Sequence, residues 1–190
     1  YVVEIQNDLF IMVHSEEKGV SMDALNDLEK ILSETYDKYE KIYIFEHIFL
    51  ANTSGELYNS SGEPIATTYV MPVGSAEDTK FREILRTYKD KVIMFSGHSH
   101  WKYDHQIYNS DLNIYNGRGE YAMMAHISSL LCPRILKSNG EKEADYSSSE
   151  AMIVEVYDKA VVLKALNVIP LMNGNSSPEY EAYASYIIYF

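Results

Sequence analysis

Apolar positions change their spacing several times along the chain, and each change marks an element. Val92-Ile93-Met94-Phe95 is an unbroken apolar run, the pattern of a strand covered on both faces in a parallel sheet. It leads into Ser96-Gly97-His98-Ser99-His100, where Gly97 is expected to let the backbone turn sharply. Ile42-Tyr43-Ile44-Phe45 repeats the pattern and ends in Glu46-His47. Upstream, Leu9-Phe10-Ile11-Met12-Val13 predicts a short strand paired with Val2 to Gln6 through a turn at Asn7-Asp8. Between these strands the period lengthens to that of a helix. Leu25, Leu28 and Leu32 share one face of a segment from Met22 to about Tyr36, with Ser21 as N-cap and Asp23 in the first turn. Ser75-Ala76-Glu77-Asp78 begins a second helix carrying Phe81, Ile84, Leu85 and Tyr88.

Two strand-helix-strand passages in succession predict parallel neighbours in one sheet, because a crossover helix is what joins parallel strands. His14, His47 and His98 each follow the end of one of these strands, so the topology gathers them along one edge, where open α/β sheets bind ligands. Residues 48 to 75 read as a long polar connection, either a lid or specificity loop or a surface excursion. After His100 the texture becomes short strands and turns: 106–108, 112–115, Tyr121 to Ile127, Ala151 to Tyr157, Ala160 to Val168 and Ser185 to Phe190, with turns at Asn116-Gly117, Asn139-Gly140 and Asp158-Lys159. That half is expected to be antiparallel and hairpin-connected, with polar loops at 138–149 and 173–178.

Composition narrows the partners. Hydrophobic residues make up 46% of the 190 positions, which is enough for one sizeable core and excludes a disordered chain. A formal charge of −12 argues against a nucleic-acid duplex or an anionic membrane as partner, since both need a basic face. No apolar run approaches bilayer length. The single cysteine, Cys132, excludes an internal disulfide framework.

The candidate chemistry is imidazole. If the His98-Ser99-His100 segment is extended, both rings fall on one side and can share a metal or serve two. A bare His-x-His is more often a pair of exposed loop histidines, but a buried strand, a glycine and a separate strand-end His47 shift the reading toward a metal site. Cupins also use His-x-His, but they are all-β, and here two amphipathic helices precede the pair. His14 is read as satisfied by hydrogen bonds beside the site, His105 as a surface residue near its mouth, and His126 as structural. Trp101, Tyr103 and Asp104 line the same exit, with Trp101 a core residue that could also meet substrate. Cys132, with no local basic partner, is read as an inert core thiol.

Gly97-His98-Ser99-His100 after a buried strand, together with a strand ending in the lone His47, resembles the calcineurin-like metallophosphoesterases. The later His126-Ile127-Ser128-Ser129 with Pro133-Arg134, and the strands Met152 to Tyr157 and Val161 to Ala165, look like the family's closing segments. The resemblance implies an α/β (α+β) fold: the C-terminal part of a four-layer α/β/β/α sandwich, a parallel-type sheet followed by antiparallel hairpins. It implies that residues 1–190 are the C-terminal portion of one such domain, partnered by an N-terminal metal-binding half. By the same resemblance His47 and His98 bind one metal and His100 the other. The complete enzyme then hydrolyses phosphate mono- or diesters, small molecules or nucleotides, with two divalent ions of manganese, iron or zinc. The family's Asp-x-His, Gly-Asp-x-x-Asp and Gly-Asn-His are missing from the sequence, and Ile48-Phe49 stand where many members place a second His and a Pro. This chain alone is therefore expected to hold a partial metal complement or none and to be inactive. The alternative is a non-catalytic binding or interaction domain that keeps the fold.

Overall fold

Alternation along the central strands decides the layering. In the computed structural model, which describes residues 1–16, 19–55, 71–103, 114–168 and 181–190, β3 (Lys41–Glu46) and β4 (Val92–Ser96) are buried on both faces. Ile42, Ile44, Val92 and Met94 point into one core with Leu25, Leu28, Leu32, Phe81, Ile84 and Leu85. Tyr43, Ile93 and Phe95 point into a second core with Val161, Leu163, Ala165 and Ile188. A strand with period-two side chains and apolar residues at every position can only be satisfied this way.

The helix-side core is built from α1 (Met22–Thr35) and α2 (Ala76–Thr87). Both helices start as the sequence predicts. Ser21 accepts the Ala24 N–H and Ser75 accepts the Asp78 N–H, and each cap supplies an acceptor that the first turn lacks. Asp78 is itself buried, accepting the Gly74 N–H and pairing with Arg82 at 2.9 Å.

Among the described residues, the main sheet has six strands in the order β1-β2-β3-β4-β6-β5. β2 (Asp8–Met12), β3, β4 and β6 (Met123–His126) run parallel, whereas β1 (Val2–Ile5) and β5 (Ile114–Tyr115) are antiparallel edges. The hairpin joining β1 and β2 turns at Gln6-Asn7, one residue earlier than expected, with Gln6 left-handed. β6 corrects the expectation that everything after His100 is antiparallel. It lies beside β4 with Ser96 opposite His126, because Met124 and Ala125 are apolar on both faces and fit a central position.

The second layer on that side is a three-stranded antiparallel sheet of β9 (Glu150–Tyr157), β10 (Ala160–Asn167) and β11 (Glu181–Tyr189), in the order β11-β10-β9. A small hairpin, β7 (Arg134–Leu136) with β8 (Lys142–Ala144), turns at Asn139-Gly140 inside what the sequence presents as a polar loop. Three layers are thus described, helices on sheet on sheet, in a mixed α/β fold. Among the described residues there is no second helical layer, and no helix is long and apolar enough to cross a membrane.

The connection after His47 also differs from its polar reading. Ile48, Phe49, Leu50 and Ala51 are buried, and Gly55, left-handed at φ 94°, sits so close to Phe49 that a Cβ there would lie 2.9 Å from its ring. The start of the connection is anchored in the core. Residues 56–70 of the stretch read as a lid, like Asp104, His105, the strand at 106–108 and the polar loop at 173–178, fall outside the described residues.

Candidate metal centre

Strand ends bring the histidines together. The ladder between β3 and β4 continues one step past both strands, where Gly97 N–H donates to the His47 carbonyl (3.1 Å), and the β4–β6 ladder does the same where Ile127 N–H donates to the Ser96 carbonyl (2.6 Å). This fixes His47 beside the turn that carries His98. His47 Nε2 and His98 Nδ1 face each other at 3.0 Å, with the rings edge to face and 4.9 Å between centroids. The expectation that these two rings converge at one sheet edge therefore holds as geometry.

The His-x-His segment is not extended. His98 and His100 are both left-handed, at φ 69° and 60°, and Ser99 N–H donates back to the Gly97 carbonyl at 2.9 Å, a γ-turn centred on His98. A left-handed non-glycine residue costs about 1 to 2 kcal/mol. The sharp turn lies in the histidines and not in Gly97, whose φ is not positive. As a result the two rings part company. His98 goes to His47, while His100 Nδ1 lies 3.3 Å from Cys132 Sγ. Cys132 thus has a local imidazole, which corrects its reading as a core thiol without one. The signal was hidden because the partners are separated by 32 residues.

These groups line one cavity of about 800 Å³, together with Glu46, Ser128, Ser129, Glu150 and a largely apolar wall that includes Phe45, Phe95, Leu131 and Met152. Two carboxylates at it, Glu46 and Glu150, were not singled out as site residues by the sequence. Glu46 is buried, accepts the Ile48 N–H through Oε1 (2.9 Å), and has its carboxyl pushed up to about 7 by burial. Glu150 accepts the Tyr103 N–H (3.0 Å), and the Tyr103 hydroxyl accepts the Ser128 N–H (3.1 Å). Burial, and then the neighbouring His98, lowers the His47 imidazole, while burial followed by Arg134 lowers that of His100. Both shifts favour the neutral ring, which is the form that ligates metal.

The remaining candidates settle away from the chemistry. His126 is fully buried with Nε2 3.4 Å from Ser99 Oγ, and burial pushes its imidazole down to about 3. Trp101 is buried, bridged to Arg134, with Lys142 over its ring at 5.1 Å. His14 is exposed.

Two nitrogens bound to one ion at about 2.0 to 2.1 Å lie about 2.9 to 3.4 Å apart, for angles between right and tetrahedral. The His47–His98 separation of 3.0 Å falls in that range. It also fits a hydrogen bond in which one imidazole donates its N–H to the other. Among the described residues no three His, Cys, Asp or Glu side chains converge on one ion position, so the pair offers part of a coordination sphere.

No protein-family model and no curated protein matches the chain. Solved structures do. The structure of PhoD aligns with a TM-score of 0.62 at 11% identity, over 100% of this chain and 41% of that one. A dimetal phosphatase from Danio rerio aligns with a TM-score of 0.52 at 13% identity, over 90% of this chain and 39% of that one. The fold is metallophosphoesterase-like. The chain spans about two fifths of the length of these relatives, and at such identities the likeness concerns the fold alone.

Proposed function

We propose that the chain carries part of the metal centre of a metal-dependent phosphoesterase, acting on phosphate mono- or diesters of small molecules or nucleotides. The observation that carries this reading is the facing pair His47 Nε2 and His98 Nδ1 at 3.0 Å, at the carboxyl edge of a parallel sheet. His47 and His98 hold one divalent ion of manganese, iron or zinc, and His100 turns toward a second position on the same cavity wall. When bound, such ions supply Lewis acidity to the phosphoryl oxygens. The chain's own contribution is orientation: the strand ends and the γ-turn fix the two rings, and the apolar wall keeps water from the flanks of the cavity.

In this reading the chain is the C-terminal portion of one domain, and four-layer packing and the carboxylates that hold two dications against their mutual repulsion belong to the N-terminal half of that domain. The test is metal titration by calorimetry on the chain and on its His47→Ala and His98→Ala variants, beside phosphatase assays with Mn²⁺, Zn²⁺ or Fe²⁺ on a protein extended through the upstream gene sequence. The chain binds metal weakly and hydrolyses nothing at a useful rate, and the extended protein is active and loses activity in His98→Ala. A chain that binds no metal, or an extended protein whose turnover ignores His98→Ala, overturns the reading. The second reading, a non-catalytic domain with this fold, draws on the finding that no three donors converge among the described residues. It is favoured if the extended protein has no esterase activity.

A further inference from the structure

A thiol and an imidazole meet on the wall of the same cavity, and the chain holds them there by several independent bonds. Arg134 N–H donates to the His100 carbonyl at 2.6 Å and Lys102 N–H donates to the Arg134 carbonyl at 3.1 Å, the two bonds that make the parallel bridge between Trp101 and Arg134. These bonds strap the segment after Cys132 to the segment after His100. On the other side, Ser129 Oγ accepts the N–H groups of Leu131 and Cys132 at 3.3 and 3.2 Å, and Ser149 Oγ donates to the Leu130 carbonyl at 2.5 Å. The loop is therefore closed at both ends, and Cys132 Sγ is left 3.3 Å from His100 Nδ1.

That separation suits two donors of one ion. A sulfur at about 2.3 Å and a nitrogen at about 2.05 Å from a shared metal lie about 3.1 to 3.6 Å apart, for angles between right and tetrahedral. The cavity shows a further need for a ligand. Glu46 Oε2 and Ser128 Oγ line it, belong to residues buried to at least nine tenths, and find no hydrogen-bonding partner among the described residues. Buried polar atoms in that condition are normally satisfied by water, an ion or a bound group.

We infer that Cys132 is a metal ligand, forming with His100 the protein's side of the second ion position. This rests on the phosphoesterase reading for the function of the centre, and adds to it a soft donor that nothing in the motif predicts. On binding, the thiol proton passes to solvent and the sulfur ligates as thiolate. A thiolate and an imidazole select Zn²⁺ or Fe²⁺ and disfavour Mg²⁺ and Mn²⁺, which prefer oxygen.

Cys132 is the chain's single cysteine, so one thiol reports directly. The experiment measures the rate at which the 190-residue chain reacts with an aromatic disulfide reagent, with and without saturating Zn²⁺, and records the spectrum with Co²⁺. Zn²⁺ is expected to slow the thiol by about tenfold or more, in line with the loss of free thiolate on ligation. Co²⁺ should give a near-ultraviolet sulfur-to-metal charge-transfer band that Cys132→Ser removes. His100→Ala should remove both signals, and His98→Ala should leave both. Metal binding by calorimetry with an unprotected thiol and no such band overturns the Cys132 assignment and leaves the His47–His98 reading standing. No metal binding at all overturns both. The thiol rates come from the unmutated chain, so the outcome does not depend on whether Cys132→Ser folds.

Discussion

The helix-covered core and the carboxyl edge of the same sheet are built on opposite terms. Beneath α1 and α2, Leu25, Leu32, Phe81 and Leu85 are fully buried within one apolar cluster. At the edge, a few residues further along the same strands, left-handed histidines, a buried glutamate and two oxygens with no hydrogen-bonding partner among the described residues, Glu46 Oε2 and Ser128 Oγ, share a cavity. The first region is what a sequence selected for stability produces, and the second keeps strain and unsatisfied polarity that stability alone would remove. The contrast predicts that substitutions in the core cost stability and leave the site's ligand set intact, whereas substitutions at the edge change metal binding and cost little stability or even add to it.

The largest effect belongs to the core. Phe81 is 0% exposed and packs under the sheet from the middle of α2, so Phe81→Ala should destabilise by about 3 to 5 kcal/mol through lost transfer energy and a residual cavity. Denaturant unfolding checks this. A loss under about 1 kcal/mol would mean that the helix layer is not the rigid side of the molecule.

His126 lies at the boundary between the two regions, and its contribution depends on pH. Burial holds its imidazole at about 3, below the ordinary 6.5. The folded state therefore keeps His126 neutral while the unfolded state takes a proton as pH falls below about 6.5. The stability it permits is full above that pH and is lost as pH falls from 6.5 toward 3, with a slope of about 1.4 kcal/mol per pH unit. Unfolding curves at pH 7 and pH 4.5 should differ by roughly 2 to 3 kcal/mol from this group. His126→Gln, which cannot be protonated in this range, should flatten that part of the dependence. An equal slope in the variant would place the acid sensitivity elsewhere, for example at His47 or His100, whose imidazoles burial also holds below their ordinary value.

Most of the core region was legible in the sequence, and much of the edge was not. Leucines at 25, 28 and 32, the Ser21 and Ser75 caps and the apolar runs of β3 and β4 encode their structure locally, within a turn or two of chain. His47 and His98 could be assigned to one edge because parallel topology alone places them there. What could not be read depends on distant partners or on backbone angles. The left-handed conformations of His98 and His100 leave no mark in a Gly-His-x-His pattern, and they reverse the inference that an extended segment keeps both rings together. The Cys132–His100 pair joins positions far apart in sequence through a bridge between Trp101 and Arg134. The parallel placement of β6 was hidden in a stretch whose short strands and turns suggested hairpins.

A smaller effect reverses the usual sign. His98 sits at φ 69° as the centre of the γ-turn, a conformation that glycine adopts without penalty. His98→Gly should therefore raise stability by about 1 kcal/mol, or at worst leave it unchanged after the loss of packing. The same variant should lose the ion held with His47, which calorimetry with Zn²⁺ reads. Lower stability in His98→Gly would show that the imidazole supports the fold, and the contrast between the regions would then weaken at its most strained residue.

The smallest effect separates what the motif suggests from what the structure requires. A glycine before His-x-His reads as a position where only glycine can turn, yet Gly97 is not among the left-handed residues. A Cβ placed there would meet the Ile127 carbonyl oxygen at 3.7 Å, His47 Nδ1 at 3.9 Å and the His47 carbonyl oxygen at 4.0 Å, which are ordinary contacts. Nothing needs to move, and alanine also narrows the unfolded ensemble. Gly97→Ala should therefore change stability by no more than about 0.5 kcal/mol, and in the favourable direction. The added methyl approaches the Nδ1 side of His47, whereas Nε2 is the atom that faces His98, so the affinity for Zn²⁺ should also be unchanged. Unfolding and calorimetry on this one variant test both statements. A loss of metal affinity with stability retained would show that the approach of a larger ligand, rather than the backbone, is what keeps this position small.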